Sequence, residues 1–235
     1  MSGFAKRHWL LIPGTLCTAA IFDPLLNMLG VPKENRDVLT LDQPSIAAYR
    51  ERLPVRATTG TIVCGFSLGA IVTAHCADKL AHARAIVLFG INPYADVPEK
   101  RAGRLAMRDQ VAAMGARCYI EANPPPLYAG DVTAARATIA AMAVESEAHL
   151  PAQTELALSR PGAVAALERC IVPVITLAGT KDAMTPHAQA EAAAEAAPEG
   201  RAIALEGLGH YALLEDARAC ADALQPVLTM LNEVG

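Results

Sequence analysis

This chain of 235 residues is poor in aromatic side chains, which make up 4% of it, and it contains no long apolar run. Its apolar stretches fall short of the roughly 18 to 20 residues that a membrane-spanning helix needs, so we expect no membrane partner. It also lacks a basic block, since its 20 Lys and Arg are dispersed and its net charge is −4, and this excludes an electrostatic surface for nucleic acid. The expected partner is therefore a small molecule, while the sequence leaves the oligomeric state open.

Paired cysteines are missing as well. The six cysteines occur singly, without a CxxC pair for a metal or a redox centre, which favours a reducing cytoplasm as the location.

The N-terminal segment resembles the start of a signal peptide, because the charged pair Lys6-Arg7 precedes the apolar residues 9–12. Pro13-Gly14 ends that run before the roughly 7 to 15 residues that a signal core needs, so we expect no cleavage there.

What the chain does have is an alternation of short apolar runs with longer helical patterns, which predicts a mainly parallel sheet flanked by helices. The 53% hydrophobic content comes largely from alanine, so the core is expected to be aliphatic. Six strands are predicted, over residues 8–12, 38–41, 60–64, 85–89, 172–178 and 201–205. Helices are predicted over residues 19–29, 68–80, 186–197 and 211–231.

One segment interrupts this alternation. Residues 92–169 contain helical patterns but no strand-like run, and they include the stiff stretch Asn123-Pro124-Pro125-Pro126. We therefore predict a helical insertion at 92–169, carried by a core that consists of residues 1–91 and 170–235.

A serine, an aspartate and a histidine occur in three separate segments, each directly after a predicted strand. These segments are Gly65-Phe66-Ser67-Leu68-Gly69, Gly179-Thr180-Lys181-Asp182 and Gly207-Leu208-Gly209-His210. A GxSxG turn between a strand and a helix exposes the serine hydroxyl, and its glycines remove Cβ atoms that would collide with nearby backbone. The carboxyl ends of parallel strands share one edge of a sheet, so the three side chains are expected to meet there.

The three residue types fit acyl transfer. His210 would act as the general base that takes the Ser67 proton, and Asp182 would orient the imidazole and stabilise its charged form. Asp96, just after the fourth strand, is an alternative to Asp182. For the oxyanion of the tetrahedral intermediate, the expected donors are the backbone amides of Leu68 and Thr15.

Together with Ile12-Pro13-Gly14-Thr15, these motifs resemble the α/β-hydrolase superfamily, in particular its small bacterial carboxylesterases, enol-lactonases and pimeloyl-carrier-protein methyl ester esterases. The resemblance implies that 92–169 is a cap and that no cofactor or metal is used. The sequence departs from the family at Pro13, where a histidine is common, and at Gln43-Pro44-Ser45, where a glycine-rich loop is common. The first hairpin of the family's sheet is also missing, so we expect about six strands.

The predicted function is hydrolysis of a carboxylic ester or lactone through an acyl-enzyme on Ser67. A thioesterase, an amidase or a carbon–carbon bond hydrolase would use the same triad, and a non-catalytic ligand-binding protein on this fold is a further alternative. Because no pair of arginines is evident at the cleft, a small, largely apolar substrate is expected. The candidate substrate contacts are Leu16, Phe66, Tyr119, Tyr128 and His149.

Overall fold

The computed structural model describes residues 3 to 233, and a six-stranded sheet forms its centre. All strand pairs are parallel, and the strands lie in the order β2-β1-β3-β4-β5-β6. The strands are β1 Trp9–Ile12, β2 Arg36–Val38, β3 Ile62–Phe66, β4 Ala85–Phe89, β5 Val174–Gly179 and β6 Gly200–Leu205. The prediction of a parallel sheet of about six strands is thus confirmed.

Helices cover both faces of the sheet. In chain order they are α1 Asp23–Met28, α2 Ile46–Arg56, α3 Leu68–His75, α4 Pro98–Met114, α5 Ala116–Ala122, α6 Val132–Ser146, α7 Leu150–Ser159, α8 Val164–Leu167, α9 His187–Ala196, α10 Ala212–Glu215 and α11 Ala217–Glu233. None of the helices within residues 3–233 is long and apolar enough to cross a membrane.

Burial of both sheet faces explains the continuous apolar runs of the central strands. Successive side chains point to opposite faces of a strand, so Trp9 and Leu11 enter one hydrophobic cluster while Leu10 and Ile12 enter the other. The first cluster packs under α1 and α11, and the second under α2, α3 and α9. A strand buried on both sides has no polar alternation, which is typical of parallel sheets with helices on each face.

The strand order reverses at β1, and this reversal locates a crevice. The chain runs from β1 outward to β2 and then returns to place β3 on the other side of β1. Loops that leave β1 and β3 therefore diverge to opposite faces, and the space beyond the carboxyl ends of these two strands is where such sheets bind ligands. Both the Pro13-Gly14 loop and Ser67 follow these strands directly.

The segment between β4 and β5 is helical. It holds α4 to α8 and, in the described chain, no strand. Pro98 occupies the first turn of α4, where its missing N–H is tolerated. Gly115, with φ +83°, separates α4 from α5, and the Asp131 carboxylate caps α6 by accepting from the amides of Thr133 and Ala134.

Several element boundaries differ from the prediction. The second strand is Arg36–Val38 rather than 38–41, since the pairing with β1 ends at Val38, and the last predicted helix is divided at Asp216. Helix α2 was missed, although Ile46, Tyr49 and Leu53 are buried at the spacing of one helical face. Residues 1–2 and 234–235 of the predicted core lie outside the described residues.

Candidate active site

Ser67 lies on a sharp turn between β3 and α3. Its φ of 53° and ψ of −117° are unusual for a residue with a side chain, and such strain persists only where neighbouring structure enforces it. The glycines on either side make the turn possible. A Cβ on Gly65 would lie 2.6 Å from the Ala70 Cα, and one on Gly69 would lie 1.9 Å from the Ile12 carbonyl oxygen. The GxSxG pattern therefore reflects steric demands on both sides of the serine.

Gly14 brings the loop after β1 against this turn. A Cβ at Gly14 would lie 3.0 Å from both the Phe66 carbonyl oxygen and the Ser67 Cβ. Only a residue without a side chain fits this approach without displacement. The Pro13-Gly14 loop is thereby held beside the serine.

A chain of hydrogen bonds joins the three predicted residues. His210 Nε2 lies 3.0 Å from Ser67 Oγ, and His210 Nδ1 lies 2.8 Å from Asp182 Oδ2. His210 and Asp182 are buried, being 6% and 5% exposed, so water competes little for these contacts. This arrangement can pass a proton from the serine hydroxyl to the imidazole while the carboxylate fixes the ring.

The Asp182 carboxylate accepts hydrogen bonds from other donors in addition to His210. Its Oδ1 accepts from the amides of Met184 and Thr185, both at 2.9 Å, and its Oδ2 accepts from the Thr185 hydroxyl at 2.7 Å. Burial by itself would raise the pKa of Asp182, but the hydrogen bond and charge of His210 and the donors of Thr185 hold that pKa below its ordinary value. Asp182 therefore stays ionised. Sequence reasoning missed Thr185, whose position three residues after an aspartate is typical of a side-chain-capped turn.

The loop that carries His210 is fixed from two directions. Gly90, at the end of β4 with φ +61°, passes so close to the ring that a Cβ there would lie 3.0 Å from His210 Cε1. On the other side, the buried Glu215 carboxylate accepts the Gly209 amide at 3.0 Å and the Tyr128 amide at 2.9 Å. Neither Gly90 nor Glu215 was singled out from the sequence, since both act through contacts that are remote along the chain.

Aromatic rings enclose the imidazole. The Phe66 ring centroid lies 5.1 Å from that of His210, and the Tyr211 ring lies 5.6 Å from it in an edge-on arrangement. These centroid separations lie within the range of favourable aromatic pairs, so both rings pack against the imidazole.

Two backbone amides flank Ser67 without a protein acceptor. Among the described residues, the N–H groups of Thr15 and Leu68 donate to no protein oxygen, whereas the neighbouring Leu16 N–H donates to Gln153 Oε1 at 3.0 Å. Leu68 is the first residue of α3, where the amides of a helix lack internal partners. The buried Gln153 lies on α7, so the helical segment is tied directly to the loop after β1.

A cavity of about 500 Å³ opens above Ser67 and His210. It is walled partly by the sheet loops and partly by α4 and α5, and a volume of this size suits a small ligand. Of the five predicted substrate contacts, Phe66 and Tyr119 line the cavity. Leu16, Tyr128 and His149 are not among its lining residues. Leu16 is buried, and Tyr128 packs against Gly209.

Three cationic side chains also line the cavity: Lys100, Arg104 and Arg160. The expectation that no pair of arginines faces the cleft is therefore wrong. Arg104 and Arg160 are separated by 56 positions in the chain (160 − 104), and only the packing of the helical segment brings them together.

Asp96, the alternative acid, forms its hydrogen bonds with these arginines and not with His210. It accepts from Arg104 at 2.7 and 2.9 Å and from Arg160 at 2.9 Å. Burial would raise the pKa of Asp96, but the two arginines hold that pKa below its usual value.

Across residues 3–233, no three His, Cys, Asp or Glu side chains are grouped so that they could hold a metal ion.

Comparison with known proteins identifies the family and supports the fold. The sequence matches the alpha/beta hydrolase family over residues 4–223, whereas no curated protein matches it significantly. An esterase from Thermogutta terrifontis has a TM-score of 0.77 at 17% identity, covering 96% of this chain and 90% of that one. A carboxylesterase from Nitrososphaera gargenis reaches 0.81 at 16% identity, covering 98% and 93%, and the enol-lactonase from Burkholderia xenovorans reaches 0.77 at 17%, covering 95% and 92%. At such low identities these likenesses establish a common fold.

Proposed function

Because this chain belongs to the alpha/beta hydrolase family and is a hydrolase enzyme, we propose that it cleaves a carboxylic ester or lactone by means of Ser67, His210 and Asp182. One observation carries the proposal: a hydrogen-bonded chain runs from Ser67 Oγ through both nitrogens of His210 to Asp182 Oδ2, and Ser67 and His210 line the cavity. A nucleophile, a base and an orienting carboxylate in contact are what acyl transfer requires.

In the first half of the reaction, Ser67 Oγ attacks the carbonyl carbon while His210 Nε2 takes the hydroxyl proton. The carbonyl π electrons move to oxygen, and the amides of Thr15 and Leu68 stabilise the resulting oxyanion. Because the pKa of Asp182 is held low, this residue remains a carboxylate and stabilises the imidazolium. Collapse of the intermediate breaks the ester bond, and His210 gives its proton to the departing alcohol oxygen.

In the second half, water replaces the alcohol. His210 takes a proton from the water as its oxygen attacks the acyl carbon, and the same two amides hold the second oxyanion. The acid is released when the bond to Ser67 breaks and His210 returns the proton to Oγ. For a lactone, the alcohol and the acid remain parts of one product.

We further assign residues 92–169 the role of a cap that selects the substrate. Support comes from its contributions to the cavity wall on α4 and α5, and from the contact between Gln153 and the Leu16 amide. Substrate choice would then depend on side chains that the sheet itself does not supply.

The nucleophile is tested with a fluorophosphonate probe, which reacts with activated serines. The wild type and the Ser159→Ala variant, which removes an exposed hydroxyl on α7, should each take up one equivalent. The Ser67→Ala variant should take up none and should lose hydrolysis of p-nitrophenyl butyrate.

Labelling of Ser67→Ala at the wild-type level would refute this assignment. A wild type that neither reacts nor turns over any ester would instead favour a ligand-binding protein. Parallel assays of an ester, a thioester and an amide of one acyl group distinguish the alternatives that share the triad.

A further inference from the structure

The cavity has a charge imbalance that the proposed triad does not use. Lys100, Arg104 and Arg160 line it, and none of its described lining residues is an aspartate or a glutamate. Asp96 contacts two of the three cations, so one carboxylate balances three positive charges. An excess of positive charge beside a cavity attracts an anionic ligand.

Arg160 gives the strongest indication. Its side chain is only 1% exposed, and its Nη1 is used by Asp96 and by the carbonyl oxygen of Ala157. Its Nε is buried and has no hydrogen-bond partner within the described structure. Buried donors of charged groups in native proteins are rarely left without an acceptor, so the unpaired Nε marks Arg160 as a group with unused hydrogen-bonding capacity.

Lys100 and Arg104 extend the same surface. They lie four positions apart on α4, so they share one face of that helix. Arg104 binds Asp96 with Nε and Nη2, which leaves Nη1 unused by this ion pair. The three cations thus come from α4 and from the residue that follows α7, and they converge on one cavity.

We propose that Lys100, Arg104 and Arg160 bind a carboxylate carried by the substrate, so that the enzyme acts on an ester or lactone with a second, anionic end. Guanidinium groups bind carboxylates through parallel charge-assisted hydrogen bonds, and Arg104 already holds Asp96 in this manner. A cavity of about 500 Å³ accommodates a small substrate that reaches from Ser67 to the cations. This inference rests on the proposed hydrolysis at Ser67.

The test compares two esters of equal chain length, p-nitrophenyl hexanoate and mono-p-nitrophenyl adipate, which differ in a terminal methyl or carboxylate group. The wild type should prefer the adipate ester by at least about tenfold in kcat/KM, because a site built for a charged group discriminates strongly against an analogue that lacks it. The preference should decline as NaCl is raised.

Two variants examine the cations separately. Arg160→Met should abolish most of the preference, and Lys100→Gln should reduce it several-fold. Since Arg160 is buried and its loss could disturb folding, the more exposed Lys100 provides the second measurement. Arg101→Gln is the matched control, because Arg101 is the exposed neighbour of Lys100 and does not line the cavity.

Equal kcat/KM values for the two esters, or a preference that persists in both variants, would overturn the proposal. Should neither ester be hydrolysed, calorimetric titration of Ser67→Ala with monomethyl adipate and with methyl hexanoate tests the anion site independently of the hydrolytic function. Binding of the adipate alone would support the anion site while the hydrolytic function fails, and binding of neither would refute the site.

Discussion

Substitution of Gly90 by alanine tests whether the position of His210 limits the reaction. An alanine Cβ would lie 3.0 Å from His210 Cε1 and 3.2 Å from Nδ1, whereas ordinary contacts begin at 3.4 Å. The ring must therefore retreat by about 0.4 Å, the difference between 3.4 and 3.0 Å. A movement of 1 Å can reduce a rate by about 100-fold. Scaled to about 0.4 Å, we therefore expect kcat/KM for an ester to fall by about sixfold.

The variant also has a backbone effect that must be separated from the displacement of the ring. At φ +61° an alanine is destabilised relative to glycine, by about 1 kcal/mol. Gly30 provides a matched control, because its φ is +70° and a Cβ there would meet no atom within 4 Å. Gly30→Ala should show this backbone loss of stability, measured by urea unfolding, and keep wild-type activity.

The two variants should thus share the loss of stability that the backbone conformation causes, and they should differ in activity. Steady-state kinetics with p-nitrophenyl butyrate and urea unfolding of both proteins measure this difference. If Gly90→Ala hydrolyses the ester within about twofold of Gly30→Ala, the inference that the Gly90 contact positions His210 is wrong.

Two further predictions concern buried carboxylates. The folded-state pKa of Asp182 is lowered, so the stability that this carboxylate contributes is present above its unfolded pKa of about 3.9 and is lost as the pH falls through the folded value. The difference in unfolding free energy between the wild type and Asp182→Asn should therefore shrink from about pH 5 toward pH 2. A difference that stays constant over this range would contradict the lowered pKa. Glu215→Gln places an amide N–H₂ against the backbone N–H of Gly209 or Tyr128, so this variant should destabilise the fold by about 1 to 3 kcal/mol. The loss should be seen as a lower melting temperature. Glu195→Gln, at an exposed position, should leave the melting temperature unchanged.

Much of the sheet followed from local sequence. A strand that is buried on both faces is apolar at nearly every position, so β4 was predicted at its observed bounds of Ala85–Phe89. The shorter β2 lies at the edge of the sheet and is only partly buried, so its apolar signal is weak and its predicted bounds were wrong. Helix α2 was overlooked although its buried positions follow a helical period.

The candidate triad was also visible in the sequence, because each residue comes with glycines that a tight turn requires. Gly65 and Gly69 flank Ser67 for steric reasons that any chain with this turn must meet. The structure brings Ser67, Asp182 and His210 into contact, while their catalytic role remains a prediction until the probe experiment is done.

What the sequence by itself determined is therefore the set of residues whose environment is local: the apolar strands, the glycine turns and the three residues that follow them. Only the tertiary structure decided what surrounds them. Gln153 reaches the Leu16 amide across 137 positions, and Arg104 and Arg160 meet at one carboxylate on the cavity wall. Such contacts depend on how the helical segment packs over the sheet, and no short-range pattern of residues encodes that packing.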